Sequence, residues 1–79
     1  MADARPTALP DGSVVHSDPE ILSGTPVFVG TRVPVHTLIE YLEGNYSVDE
    51  FLDNFPTVRR EQINAFLEQA TRALLARVA

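Results

Sequence analysis

The chain has 79 residues, eleven acidic and six basic, with no cysteine and a formal net charge of −5. This length fits one domain near the lower limit for a self-sufficient apolar core, so we expect self-association. The negative charge argues against general polyanion binding, and the lack of cysteine excludes disulfides and thiolate metal sites. No apolar run approaches the ~18 residues of a membrane span, and residues 1–13 lack the apolar core of a secretory signal. We therefore expect a cytoplasmic protein.

The N-terminal part of the chain predicts an arm followed by a small ribbon. Residues 1–13 contain Pro6, Pro10 and a turn signal, and they predict a flexible arm ahead of a domain over residues 14–79. Short β-branched runs at residues 14–16 and 26–29 predict two strands. Such a ribbon is marginal alone and must lie on helices or pair with a second copy. Its free edges make strand pairing between subunits, with Val27 and Val29 at the contact, a route to a dimer.

Two short helices are predicted next. The first begins near Pro34, carries an apolar stripe at helical spacing, and ends at the turn residues Gly44 and Asn45. Ser47 and Glu50 then form a capping box, which predicts the start of the second helix. Pro56 closes that helix, because the residue before a proline is pushed out of helical geometry.

The third predicted helix runs from about Val58 almost to the end of the chain. It is longer than two short helices can cover, so we expect Leu74, Leu75 and Val78 to contact a partner subunit. Three helices with apolar stripes and short turns predict a mainly α fold, a short N-terminal β-ribbon on a trihelical core. The last two helices follow one another as in a helix-turn-helix of the homeodomain or winged-helix type.

Paired arginines open the third helix. Arg59 and Arg60 lie where the helix dipole disfavours cations, so they predict an anion site for a DNA phosphate or a partner carboxylate. Thr57, Gln62 and Asn64 stand close enough in sequence to add hydrogen bonds to DNA. The alternative is that both arginines pair with the acids of the second helix, which are Asp49, Glu50 and Asp53.

No other group of residues in the sequence predicts a catalytic, metal-binding or phosphate-binding site. His16 and His36 are the only histidines, and their separation fits no metal-ligand spacing. The sequence contains no nucleophile elbow and no glycine-rich phosphate loop. We therefore expect no enzyme activity, no metal and no cofactor.

A distinctive string occupies residues 24–35, GTPVFVGTRVPV. With residues 44–52 and the pair Phe55-Pro56, it resembles the DUF433 family over roughly residues 15–70. The resemblance implies a helix-turn-helix-type fold and a VapB-like antitoxin role beside a PIN-like ribonuclease toxin. It also implies that the signature residues fix the corner between strand and helix; these are Gly30, Thr31, Arg32 and Pro34. Position 59, often Thr or Ser in the family, is Arg here.

These patterns lead to two functional hypotheses. The first is the antitoxin of a type II toxin-antitoxin system, a homodimer that binds operator DNA and represses its own operon. The alternative is a protein-interaction module with the same type of fold that does not bind DNA, which the acidic first two helices favour.

Overall fold

The computed structural model describes residues 6–78, and it confirms a mainly helical fold with a small sheet. Strand β1 covers Val15–His16 and strand β2 covers Val27–Phe28, with a 3-10 turn at Leu22–Gly24 between them. Three helices follow: α1 at Val35–Glu43, α2 at Val48–Asn54 and α3 at Arg60–Val78. No helix within residues 6–78 combines the length and apolarity needed to cross a membrane.

The two strands form an antiparallel ribbon. Val15 lies opposite Phe28, and the pairing continues when Val29 N donates to the Val14 carbonyl at 2.9 Å. Val27 and Phe28 are completely buried. The ribbon is therefore anchored by its inner strand, which explains how so short a sheet persists in a single chain.

Local signals in the sequence define the ends of α1 and α2. Helix α1 ends at Gly44, and Asn45 adopts a positive φ of 66°, a conformation that asparagine tolerates better than most residues. The Ser47 side chain accepts from Glu50 N at 3.1 Å, and Glu50 Oε1 accepts from Ser47 N at 3.0 Å. The predicted capping box is present.

Helix α3 begins two residues later than the sequence predicts. Val58 is buried in a turn, donating its N–H to the Phe55 carbonyl, and Arg59 stands just before the first helical residue. The Gln62 side chain reaches back and accepts from Arg59 N at 3.0 Å. The cap is therefore supplied from inside the helix, which lets a residue with no capping side chain stand at the boundary.

The core lies where the ribbon meets the three helices. Its buried members are Phe28, Val33, Leu38, Phe51, Val58 and Ile63. Phe28 is central, since its ring packs edge-on against Phe51 at 6.4 Å and Phe66 at 5.9 Å between ring centroids. Aromatic contacts of this kind join β2 to both α2 and α3.

The segment before β1 contacts α3. Gln69 Nε2 donates to the Gly12 carbonyl at 2.8 Å, and Gln62 Nε2 donates to the Thr7 carbonyl at 3.0 Å. The predicted flexible arm falls partly on residues 1–5, which lie outside the described residues. Over residues 7–13 these bonds hold the backbone against α3, and arm flexibility stays a prediction.

Candidate functional site

The predicted DNA-binding residues do not form one surface. Thr57, Arg59 and Asn64 are exposed, whereas Gln62 is 1% exposed. The assignment of Gln62 to DNA is therefore wrong. Within the described residues its side-chain hydrogen bonds all go to backbone groups, among them the buried carbonyl of Val29.

The two arginines have different surroundings. Arg60 donates to the Asp49 carboxylate on α2, so the ion-pair alternative holds for this residue. Both side chains are largely exposed, and such pairs contribute little to stability. No acid among the described residues pairs with Arg59. Any anion contact at the start of α3 therefore depends on Arg59 more than on Arg60.

The signature residues form the corner between β2 and α1. Gly30 has a φ of 79°, which favours glycine, and Pro34 stands at the N-cap of α1. Thr31 is buried; its hydroxyl donates to the Phe28 carbonyl at 2.8 Å and accepts from Val33 N at 3.0 Å. Arg32 is exposed, and no described acid pairs with it. The side chain of Thr31 thus closes the turn, while that of Arg32 lies on the surface.

The predicted partner contacts divide into two groups. Val27 and Val29 are buried inside the chain, so their side chains cannot reach a partner subunit, and the ribbon-pairing prediction is wrong in that respect. By contrast, Leu74, Leu75 and Val78 are 61%, 58% and 72% exposed.

The second half of α3 is an exposed helix with an apolar side. Residues 70–78 are all exposed, and Leu67, one turn earlier, is 40% exposed. At about 100° per residue, four side chains project within about 60° of one another. We call this set the α3 stripe: Leu67, Thr71, Leu74 and Val78. It continues the side of α3 that carries Ile63 into the core, along the half of the helix that is exposed.

A cavity of about 570 Å³ lies beside the β2–α1 corner. It is formed by the corner itself, β1, the turn before β2, the segment 6–9 and the entry to α3. The lining residues are Pro6, Leu9, His16, Ile21, Val29, Gly30, Thr31, Arg32, Val33 and Thr57. The sequence does not reveal this cavity, because its walls come from segments as far apart as Pro6 and Thr57. The one available signal was an arginine inside an otherwise apolar and small-residue string.

No cluster of metal ligands accompanies these surfaces. Within residues 6–78 no group of three His, Cys, Asp or Glu side chains is placed to hold a metal ion. The candidate sites are therefore the exposed start of α3, the α3 stripe and the corner cavity.

Fold and surfaces define a small, mainly helical domain with an unpaired apolar helix end. The chain belongs to the family described as "Protein of unknown function (DUF433)", whose model matches residues 15–70. It is similar to the uncharacterized protein y4eO of Sinorhizobium fredii (strain NBRC 101917 / NGR234), with 42% identity over 50 residues. That match covers 63% of this chain and 23% of the relative's length. No solved structure gives a significant match.

Proposed function

We propose that the protein is a dimeric protein-interaction module whose dimer element is the α3 stripe. The observation that carries this proposal is the exposure of Leu67, Leu74 and Val78 along a helix whose residues 70–78 are all exposed. Isolated helix ends of this kind are stabilised chiefly by packing of their apolar side. Because three large apolar side chains lie together there, a covering partner is expected.

The composition of the stripe fits a second copy of the same helix. In an antiparallel pair with its two-fold axis between Ala70 and Thr71, Leu67 of each copy faces Leu74 of the other. The centre then holds only small side chains, which permits close approach. The Thr71 hydroxyl already donates to the Leu67 carbonyl at 2.7 Å, so its methyl group is free to pack.

Charges beside the stripe favour the same arrangement. Glu68 and Arg72 form an ion pair on one flank of α3. The two-fold axis brings this flank against its own copy, so that Glu68 of one helix lies near Arg72 of the other. Each glutamate then has an arginine of the other helix as its nearest charge across the interface. A parallel pair would instead set like charges side by side, which costs free energy.

Sedimentation equilibrium on the full chain tests this proposal. We expect reversible dimers at micromolar concentration, because one helix pair is smaller than a standard interface of roughly 1,600 Å². Leu74→Gln should raise the dimer dissociation constant by more than about tenfold, since it buries an amide in an apolar interface. Ala76→Gln, on the opposite side of α3, is the matched control and should leave it unchanged. A wild-type chain that stays monomeric, or equal effects of both variants, would contradict the proposal.

A second candidate function is DNA binding by an antitoxin-type autorepressor. The exposed Arg59 at the start of α3 favours it. In the antiparallel pair the two copies of Arg59 are separated by 23 helical steps, about 34 Å at 1.5 Å per residue. Half-sites one turn of B-DNA apart have a spacing of about 34 to 36 Å. The dimer would thus place its two Arg59 side chains at the spacing of successive turns of the DNA duplex.

Fluorescence anisotropy with the duplex upstream of the protein's own gene tests this second function. Arg59→Ala should weaken binding and reduce the salt slope by about one per copy, because each contact releases about one counterion. If the duplex does not bind, or if Arg59→Ala does not weaken binding, the proposed DNA-binding role is wrong.

The antitoxin role also requires a toxin. The resemblance implies a PIN-like ribonuclease, and we propose that such a partner binds outside the α3 stripe, which the second copy covers. Co-expression with a neighbouring PIN-like gene product tests this. Leu74→Gln should then abolish dimers while the heteromeric complex persists; loss of both together would place the toxin on the stripe and overturn this assignment.

A further inference from the structure

We propose that the cavity beside the β2–α1 corner binds a small monocarboxylate with an apolar body. The cavity has a volume of about 570 Å³. Sites for small molecules commonly have volumes of about 300 to 1,000 Å³. It lies on a different part of the molecule from the α3 stripe, so this inference does not depend on dimer formation.

The body of the ligand is inferred from the walls. Leu9, Ile21, Val29 and Val33 give the cavity aliphatic sides, and Pro6 adds to its edge. Two of these, Val29 and Val33, also belong to the buried part of the chain, so that wall is rigid. Aliphatic walls of this kind favour the transfer of an apolar group from water, and they do not stabilise a polar one.

The head of the ligand is inferred from charge. The chain has eleven acidic residues and only six basic ones, yet among the described residues no acid lines the cavity and one arginine does. Arg32 is exposed, and none of the described acids pairs with it. A guanidinium group presents a planar set of donors that matches a carboxylate. Thr57, also exposed at the cavity, offers a hydroxyl beside it.

A polar atom without a partner lies at the same place. Nε2 of His16 is shielded from solvent and forms no hydrogen bond within the described residues, the one side-chain atom found in that condition there. His16 also lines the cavity. A buried polar atom without a partner costs free energy, so its presence indicates a group that residues 6–78 do not supply.

Octanoate is a suitable probe, and octanamide is its matched neutral control with the same chain length. Titration of the full wild-type chain, followed by amide NMR shifts, should give saturable binding of octanoate in the range below about 1 mM. Shifts should concentrate at Gly30, Thr31 and Arg32 and be absent along residues 70–78. Octanamide should bind at least about tenfold more weakly, because it makes no charge-assisted contact.

Variants test the contribution of the Arg32 charge to binding separately from that of the apolar walls. Arg32→Gln should reduce octanoate affinity by at least about tenfold, whereas Arg77→Gln should not change it. If Arg32→Gln fails to fold, the wild-type comparison of octanoate with octanamide still decides the question. Equal affinity for the two probes, or no saturable binding by about 10 mM, would overturn the proposal. Octanoate binding that is seen only after deletion of residues 1–5 would also overturn the proposal, because it would indicate that this segment of the chain occupies the cavity.

Discussion

The side-chain amide of Gln62 donates a 2.9 Å hydrogen bond to the backbone carbonyl of Val29, joining the start of α3 to the end of the ribbon. The same nitrogen donates to the Thr7 carbonyl at 3.0 Å, and Oε1 accepts from Arg59 N at 3.0 Å. One side chain therefore connects three separate segments of the backbone. Its role is to satisfy buried polar groups, which an apolar residue of the same size cannot do.

Replacing this amide should destabilise the fold strongly. We expect Gln62→Ala to lower the free energy of unfolding by about 2 to 3 kcal/mol, since it leaves the buried Val29 carbonyl without its donor and opens a cavity. Asn64→Ala, two residues along the same helix and exposed, should change it by less than about 0.5 kcal/mol. Urea denaturation followed by circular dichroism measures both. Similar losses for the two variants would show that Gln62 has no special structural role.

The hydroxyl of Thr31 is expected to hold the β2–α1 corner. Thr31→Val keeps the shape but removes one donor to Phe28 and one acceptor for Val33 N, and should cost about 1 to 3 kcal/mol. Thr31→Ser keeps both bonds and loses one methyl group, worth about 0.8 kcal/mol. Thermal denaturation should therefore rank wild type above Thr31→Ser and Thr31→Ser above Thr31→Val. The reverse order of the two variants would mean that packing, and not hydrogen bonding, sets the corner.

The capping box should matter for α2 more than its exposure suggests. Ser47→Ala removes the acceptor for Glu50 N, and we expect a loss of about 1 kcal/mol in the free energy of unfolding. Ser17→Ala is the matched control, an exposed serine outside any helix. Guanidinium denaturation compares the two variants. An unchanged denaturation midpoint for Ser47→Ala would show that the capping box does not help to fix the start of α2.

Local chemistry made the first two helices predictable. Gly44, Asn45, Ser47, Glu50 and Pro56 act on backbone groups within four residues of themselves, so their consequences can be derived without knowing the fold. The start of α3 was predicted two residues too early. Its cap depends on Gln62, a residue whose side chain reaches backwards, and no serine or threonine marked the true boundary.

Long-range contacts explain what the sequence did not reveal. Gln62 and Gln69 bond to backbone carbonyls 33 to 57 residues away, and a polar residue on a helix ordinarily indicates solvent. Val27 and Val29 were predicted to contact a partner because nothing local shows that the folded chain buries both side chains. The corner cavity was missed for the same reason, since its walls meet only in the folded chain. The exposed apolar end of α3 was predicted, because helix length alone shows that it extends past its neighbours.

Disulfide trapping tests the central claim, the antiparallel pairing of α3 with a second copy, most directly. The chain has no cysteine, so a single introduced thiol reports one position without interference. Thr71→Cys lies next to the proposed two-fold axis, and Ala76→Cys lies on the opposite side of the helix. Under mild oxidation at equal concentration, the account predicts rapid formation of a covalent dimer by Thr71→Cys and little by Ala76→Cys. Equal cross-linking of both positions, or none at position 71, would contradict it.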